Sequence, residues 1–240
     1  MIFPIGDENS GLRRLPVVTW LVAGICAWLW YRQLTQGEAF TMAWSATPVE
    51  ITHNRDLTSP VAVTVGDRSV VIDHTPGPWP VQLTLLSSMF LHGSWMHLLG
   101  NLMYLLIFAD QIEDRLGRFR FAVFYLVCGL VAALAQVLSQ PDSVIPILGA
   151  SGAIAGTLGA YLVTTPSNPV KLLVFFIKVV RVPAWTVLSF WIVTQVLAVR
   201  AMAPGEVGGV AYLAHIGGFV AGAVLVHLMT PEKREARARP

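Results

Sequence analysis

The stretch "ILGASGAIAGTLGAYL", residues 147–162, determines how this chain folds. It is built almost entirely from apolar and small residues, and glycines recur at positions 149, 152, 156 and 159. Small residues let a helix pack closely against a neighbour, and on that interpretation Ser151 is one more small residue. The alternative is that the Ser151 hydroxyl takes part in chemistry. The rest of the chain has to decide between the two.

The composition is that of an integral membrane protein. Of the 240 residues, 55% are hydrophobic and only 12% are charged, and the mean hydropathy is +0.62. Soluble domains carry about a quarter charged residues. Six apolar stretches are long enough to cross roughly 30 Å of hydrocarbon as helices. They are Leu15–Tyr31, His92–Ala109, Phe121–Ser139, Gly149–Thr165, Val182–Val199 and Gly209–Met229. We therefore predict an all-α membrane protein with six transmembrane helices in one domain.

This pattern divides the chain into a short N-terminal segment, 1–14, a membrane domain, 15–229, and a basic tail, 230–240. Within the membrane domain a long loop, 32–80, separates the first two spans. Its stretch "VAVTVGDRSVVID" alternates around Gly66 and Asp67, which suits a β-hairpin with a type II′ turn. The segment "NPVKLLVFFIKVVRVP", 168–183, is too short to span and mixes basic with aliphatic residues. We expect it to lie at a membrane interface.

The positions of lysine and arginine predict the orientation. With the N-terminus inside the cell, the cytoplasmic side receives twelve of the sixteen basic residues, and the other side receives only Arg32, Arg55, Arg68 and Arg200. Because basic residues are retained on the cytoplasmic face, both termini are predicted to be cytoplasmic and loop 32–80 extracytoplasmic. The first span lacks a convincing A-x-A cleavage site, so we expect it to remain as an anchor.

Polar side chains inside the spans are the candidates for function, because each is costly at membrane depth without a partner. They are His92, His97, Asn101, Gln136, Ser151, Gln195, His215 and His227. At 1.5 Å per residue, the second, fourth and sixth spans place His97, Asn101, Ser151 and His215 at similar depths in the outer leaflet. Gln136, Gln195 and His227 are expected to be structural or interfacial.

Helical spacing refines this group. His97 and Asn101 are four residues apart and lie on one helical face. His92 points elsewhere, and a loop-anchoring role just above the helix is the simplest interpretation of it. Gly152-x-x-x-Gly156 and Gly218-x-x-x-Gly222 are small-xxx-small faces, which allow the fourth and sixth spans to approach closely. Such an approach would bring Ser151 within hydrogen-bond reach of His215.

Three motifs in this order resemble the rhomboid intramembrane serine proteases: "HGSWMHLLGN" at 92–101, "GASG" at 149–152 and "AHIGGFVAG" at 214–222. "IEDRLGRFRF", 112–121, also resembles the connection between the second and third helices of that family. The resemblance runs from about Leu83 to Met229. It covers residues 32–80 poorly.

The resemblance implies a role for each matching residue. Ser151 matches the nucleophile and His215 the general base, while His97, Asn101 and the Ser151 backbone N–H match the donors to the oxyanion. His92, Gly149, Gly152 and Gly218 match structural positions near the site. The implied protein is a multi-pass protein of the bacterial inner membrane whose active site opens to the extracytoplasmic side.

The same resemblance implies a mechanism and a substrate class. A Ser-His dyad forms an acyl-enzyme and hydrolyses peptide bonds in or near the membrane segments of single-span proteins. All fourteen acidic residues lie outside the predicted spans, which agrees with a dyad. The fifth helix, with Trp185, Phe190 and Trp191, is the implied gate. The partners are these substrates and membrane lipid, and we expect no cofactor, metal or nucleic acid.

One position departs from some relatives. Four residues after the nucleophile, where certain members carry an aromatic ring that stacks on the histidine, this chain has Ala155. Tyr104, Tyr161 or Tyr212 could support the His215 ring instead.

Two alternatives remain from the sequence. A catalytically silent rhomboid-like protein that binds transmembrane clients is disfavoured because Ser151, His215, His97 and Asn101 are all present. A six-span channel or carrier predicts flux in liposomes that survives Ser151→Ala, and the lack of acidic residues in the spans disfavours it.

Overall fold

A computed structural model describes residues 2–8, 12–65, 68–201 and 210–231. The described chain is mostly helical, and each predicted span falls on one long helix. These six helices are α1 (Val17–Gln36), α5 (Trp95–Leu116), α6 (Arg118–Ser139), α7 (Ser151–Thr164), α8 (Ala184–Ala201) and α9 (Tyr212–Met229). Three further short helices lie between α1 and α5, namely α2 (Glu38–Trp44), α3 (Pro48–His53) and α4 (Thr84–Ser87).

Three of the long helices, α6, α8 and α9, are both long and apolar enough to cross a membrane. Helix α7 is a shorter apolar helix of 14 residues. At 1.5 Å per residue it measures about 21 Å, less than the roughly 30 Å of a hydrocarbon core. It begins only at Ser151, so the nucleophile candidate stands at the very start of a short and mostly buried helix.

The prediction of an all-α fold with a small hairpin in loop 32–80 is wrong in one respect, because the chain also contains a three-stranded sheet. Segment 168–183, predicted to lie at an interface, forms the antiparallel strands β4 (Pro169–Val174) and β5 (Lys178–Pro183). Strand β1 (Ile2–Asp7) adds to β4 and gives a sheet of order β1-β4-β5. Phe175 and Phe176 make the turn between β4 and β5 with positive φ angles of 48° and 61°. Aromatic residues rarely adopt such angles, so the sequence carries no turn signal there.

Loop 32–80 contains the helices α2 and α3 and one hairpin. Strands β2 (Val61–Val65) and β3 (Arg68–Ile72) pair antiparallel, with Val61 opposite Ile72. Residues 66 and 67, which carry the predicted type II′ turn, lie outside the described residues.

The loop also docks against the segment that precedes α7. Ala46 and Ile147 exchange two backbone hydrogen bonds of 3.1 and 2.8 Å, and Val49 N–H donates to Ser143 C=O at 3.0 Å. Loop 32–80 therefore holds the chain that leads into Ser151.

Helix α7 occupies the centre of the bundle. All ten residues from Gly152 to Tyr161 are buried, against α5, α6 and α9. By contrast, α8 buries only Ala184, Leu188 and Gln195 of its 18 residues. The bundle thus has a tightly enclosed centre and one loosely packed outer helix.

A buried carboxylate caps α1 from a neighbouring helix. Glu113 on α5 is 1% exposed and accepts hydrogen bonds from the backbone N–H groups of Val18 and Thr19, at 2.9 and 2.8 Å. It also accepts from the Thr19 hydroxyl at 2.8 Å. The first N–H groups of a helix have no partner within the helix, and the helix dipole favours negative charge there. Glu113 therefore locks α1 to α5.

A second buried carboxylate lies at the end of α7 remote from Ser151. The Asp7 carboxylate, on β1, accepts from the Tyr161 hydroxyl at 2.5 Å and from Asn168 Nδ2 at 3.2 Å. Burial raises the pKa of Asp7 above its usual value, and the hydrogen bond from Tyr161 opposes this only in part. β1, the sheet and the end of α7 are therefore joined around one acid.

We expect Glu113→Gln to lower the stability of the protein. The amide loses the charge and one acceptor oxygen, so at least one donor of α1 is left unpaired, at a cost of about 1–3 kcal/mol. The midpoint of thermal unfolding in detergent measures this. Asp114→Asn, which alters the acceptor of one exposed hydrogen bond from Arg13 N–H, serves as the matched control. An equal shift in both variants would contradict the capping role.

The burial of Asp7 predicts a pH dependence of stability. The folded-state pKa of Asp7 lies above the unfolded value near 3.8. The stability that the protonated carboxyl contributes is therefore fully present below pH 3.8 and is lost as the pH rises through the folded-state pKa. Asp7→Asn should remove this component, so the unfolding midpoint of wild type falls more between pH 4 and pH 7 than that of the variant. Asp142→Asn, at a position 83% exposed, should keep the wild-type slope.

Candidate active site

The contact between α7 and α9 forms the site. A Cβ atom on Gly218 would overlap the backbone oxygen of Gly152, and one on Gly222 would overlap that of Gly156. Only glycine allows the two backbones to come this close, as the small-xxx-small faces predict. The first turns of both helices are thereby brought together.

This contact places Ser151 beside His215. Ser151 Oγ lies 2.8 Å from His215 Nε2, a normal hydrogen-bond distance. Ser151 opens α7, while His215 lies in the first turn of α9 and donates its backbone N–H to Ala211 C=O. Two residues 64 positions apart in sequence thus form one hydroxyl–imidazole pair.

The segment before Ser151 is held in one conformation. Gly149 has φ +130°, which residues with a side chain rarely adopt, and a Cβ there would lie 2.7 Å from the His97 ring. Its N–H donates to Ser88 C=O at 2.8 Å. Glycine is therefore needed at position 149 for two reasons: its φ angle is unfavourable for other residues, and a side chain there would clash with the His97 ring.

His97 and Asn101 line the same cavity as the serine and the histidine. This cavity has a volume of about 630 Å³ and is also bordered by Tyr104 and Trp191. The predicted four-residue spacing thus brings both side chains to one side of α5. All four polar residues that the sequence placed at similar depth share this cavity.

Asn101 contributes a hydrogen-bond donor to the wall of the cavity. The residue is 8% exposed, and its buried Nδ2 makes no hydrogen bond with any described residue. Buried donors are nearly always paired, so an unpaired one is uncommon. The amide is therefore available to a group that enters the cavity.

His97 also presents a donor. Gly93 N–H donates to His97 Nδ1 at 3.4 Å, so in the neutral ring the proton is on Nε2. Nε2 is the nitrogen that lies against Gly149. The Nε2–H group therefore faces the start of α7.

His92 lies behind this wall and does not line the cavity. Its ring is fully buried and packs edge-on against His97, with ring centroids 5.1 Å apart. The Gln33 side chain holds the His92 backbone by two hydrogen bonds of 2.8 and 3.0 Å. These contacts fit the predicted loop-anchoring position.

Gln195, which the sequence analysis set apart from the site as structural or interfacial, is in contact with the Ser151–His215 pair. Its Oε1 atom lies 2.8 Å from His215 Nδ1, on the far side of the ring from Ser151. The depth of Gln195 along its span follows from counting residues, but the face of the helix that it occupies does not, because α8 is apolar all round. The only signal in the sequence was the presence of an amide in an apolar span, because such a group needs a hydrogen-bond partner.

Aromatic rings from α8 and α9 surround His215 in place of the ring missing at Ala155. Trp191 on α8 lies 5.6 Å from it between centroids, tilted by 38°, and Tyr212 lies 6.5 Å away, edge-on. Of the three predicted tyrosines, Tyr212 is therefore the one in ring contact with His215. Tyr104 stacks on Phe108 instead, and Tyr161 bonds to Asp7.

The remaining polar candidates lie away from the pair. Gln136 on α6 borders a neighbouring cavity of about 160 Å³, which His97 also lines. His227 is in the last turn of α9, at the opposite end of the helix from His215.

Comparison with known proteins points to one family. A family model described as "Rhomboid domain" matches residues 81–232. RHOMBOID-like protein 4 of Arabidopsis thaliana is 34% identical over 145 residues, which cover 59% of this chain and 32% of that protein. RHOMBOID-like protein 5 of the same plant is 30% identical over 154 residues, 62% of this chain and 45% of that protein.

A bacterial relative is also similar. The protein named "Putative rhomboid protease YdcA" of Bacillus subtilis (strain 168) is 36% identical over 78 residues, 32% of this chain and 39% of that protein. The chain spans less than half the length of each of these three relatives.

The helix contact predicts that Gly222→Ala destabilises the protein. The added methyl group overlaps the Gly156 backbone, and overpacking of this kind costs about 1–3 kcal/mol. We expect a lower midpoint of thermal unfolding in detergent. Gly24→Ala in α1, where a Cβ meets nothing within 4 Å, is the matched control and should leave the midpoint unchanged or raise it slightly. Equal midpoints for the two variants would contradict the close contact.

Proposed function

Because this chain belongs to the rhomboid family, we propose that it is an intramembrane serine protease that hydrolyses peptide bonds in or near the membrane segments of other proteins. The observation that carries the proposal is the hydrogen-bonded pair of Ser151 and His215 at the wall of a cavity that also holds two further hydrogen-bond donors.

The chemistry begins with the serine. A hydroxyl is a weak nucleophile until an adjacent base takes its proton, and His215 Nε2 is at hydrogen-bond distance for that transfer. As Oγ bonds to the substrate carbonyl carbon, its proton moves to Nε2. The same proton then passes to the leaving amine as the C–N bond breaks. Water attacks the resulting acyl-enzyme by the reverse sequence of proton transfers and releases Ser151.

The negative charge on the carbonyl oxygen needs fixed donors. Asn101 Nδ2 and His97 Nε2–H both border the cavity, and the Ser151 backbone N–H is one of the unpaired groups that begin α7. The positive end of the α7 dipole adds to them. We assign these three groups to the oxyanion, with His92, Gly149, Gly152 and Gly218 as the residues that hold them in place.

The cavity also meets the need for water. Hydrolysis within a bilayer requires a polar, water-accessible space, and irregular backbone at membrane depth is tolerated where it lines such a space. The segment before α7 and residues Gly93 and Ser94 are irregular backbone of this kind at the cavity wall. No cofactor or metal is part of the proposed mechanism.

We propose the following arrangement in the membrane. All six long helices cross it, α7 being accommodated by its enclosed position. Residues 1–14 and 230–240 are cytoplasmic, and the active site opens outward on the side of loop 32–80. In support, β1 pairs with the hairpin that follows α7, and Arg120 of α6 reaches Met229 at the end of α9, so the described parts of both terminal segments lie at one end of the bundle. A bacterial inner membrane suits this arrangement.

The substrate in this proposal is a single-span membrane protein that enters sideways from the lipid. The loosely packed α8 is the element that it would have to pass, in keeping with the gate implied by the family resemblance. A catalytically silent client-binding protein is the second candidate, and it does not require Ser151 to be reactive.

A fluorophosphonate probe distinguishes the two functions. We expect purified wild-type protein in detergent to be labelled at Ser151, and Ser151→Ala to lose both labelling and cleavage of a panel of single-span substrates in liposomes. His215→Ala should behave in the same way. Ser10→Ala, a change outside the described residues and remote in sequence from the site, is the control. Absence of labelling in the wild-type protein would contradict the proposed protease function.

We further expect Asn101→Ala to lower turnover about 100- to 1000-fold without abolishing it, because one oxyanion donor is lost. The effect should fall on kcat more than on KM, since the donor acts on charge that develops only in the transition state. Steady-state cleavage measures both constants. An unchanged kcat would exclude Asn101 from the oxyanion site.

A further inference from the structure

Gln195 stands out on α8. It is one of only three buried residues on this 18-residue helix, and the other two, Ala184 and Leu188, are apolar. An amide at membrane depth is costly unless it finds a hydrogen-bond partner. Its partner is the imidazole of His215, at 2.8 Å between Oε1 and Nδ1.

The neighbours of Gln195 settle which way its amide points. Nε2 donates to the Trp191 carbonyl at 3.3 Å and to the Thr194 hydroxyl at 3.1 Å. The oxygen therefore faces His215, and an oxygen can only accept. It follows that Nδ1 of the neutral ring carries the proton.

This tautomer has a direct consequence for Ser151. With the proton on Nδ1, the Nε2 atom has a free lone pair and can accept from the Ser151 hydroxyl at 2.8 Å. In the opposite tautomer Nε2 would be a donor and could not act as a base. Trp191, on the same helix as Gln195, packs against the His215 ring and limits rotation of the imidazole.

We propose that Gln195 is a positioning residue that completes the Ser151–His215 pair as a neutral third member, so that α8 must be in place for the pair to be active. This inference rests on the proposed protease function. During the reaction the proton from Ser151 moves to Nε2 and on to the leaving amine. The Nδ1 proton stays on the ring and is donated to Gln195 Oε1 throughout, and the amide is never protonated.

A neutral acceptor suits this location. A carboxylate would bind the imidazolium more strongly, but burial of its charge at membrane depth is costly. Among the described residues, none of the aspartates and glutamates makes an ion pair with His215. The amide therefore fixes the tautomer without bringing a charge into the bundle.

The test compares two replacements of similar length. Gln195→Met removes the acceptor, and we expect kcat to fall about 10- to 100-fold, the effect of one hydrogen bond on a reacting group, with KM changed less than about twofold. Gln195→Glu keeps an acceptor oxygen, so kcat should stay within about fivefold of wild type. Cleavage of a single-span substrate in liposomes gives both constants.

The pH profile provides a readout that a merely structural role would not affect. A carboxylate at position 195 stabilises the imidazolium, so the acid limb of kcat/KM for Gln195→Glu should move to higher pH. If both variants lose activity to the same extent and the acid limb of kcat/KM does not move, the proposal is overturned. If Gln195→Met does not fold, the acid limb of Gln195→Glu decides alone, and an unshifted limb rejects the role.

Two controls separate the inference from the function on which it rests. Val193→Met introduces the same side chain on the exposed face of α8, where Val193 is 51% exposed, and should behave as wild type. Ser151→Ala tests the protease itself. Cleavage that survives Ser151→Ala refutes the proposed function, whereas cleavage that needs Ser151 but is unaffected by Gln195→Met refutes only the role of Gln195.

Discussion

The backbone contact between α7 and α9 is the constraint on which the rest of the structure depends. Lipid tails are as apolar as leucine side chains, so helices within a membrane gain little from hiding apolar surface and are held by close packing. Gly218 and Gly222 supply that packing against the backbone of α7, since a side chain at either position would overlap Gly152 or Gly156. The 2.8 Å separation between Ser151 and His215 follows from this contact. The glycines and the serine of residues 147–162 therefore serve one purpose.

Helix α7 is also fixed at both of its ends by polar groups. At the Ser151 end, the preceding segment pairs with Ala46 and Ser88 through backbone hydrogen bonds. At the opposite end, the Tyr161 hydroxyl bonds to Asp7 of β1. Glycine packing resists separation of the helices, but sliding along the helix axis is opposed better by directional bonds at the ends. Loop 32–80 and the N-terminal strand thus contribute to the position of Ser151 although neither lines its cavity.

The long helices and the four polar residues of the cavity were predictable because both leave strong signals in sequence. Apolar runs identify helices, and counting 1.5 Å per residue gives the depth of a side chain along its span. Strands β4 and β5 were not predictable in this way, since Lys171, Lys178 and Arg181 interrupt an apolar run without regular alternation. β1 pairs with a segment more than 160 residues away, and no local pattern reports such a pairing. The sheet depends on tertiary contacts and not on the local pattern of its strands.

Gln195 shows a different limit, which concerns direction around a helix. In a soluble helix the polar face reveals the orientation, but α8 is apolar on every side and its single buried amide has no pattern to be compared with. The cost of that amide in lipid requires partners nonetheless. Its Nε2 donates to Trp191 and Thr194 within α8, so its oxygen needs a donor on another helix at the same depth. His215 satisfies both conditions. Of the six long helices, α8 has the fewest buried residues, yet it holds the far side of the imidazole. A displacement of α8 that opened the cavity to lipid would therefore also remove the Gln195 and Trp191 contacts from His215. Access to the cavity and the tautomer of the base are consequently controlled by the same helix.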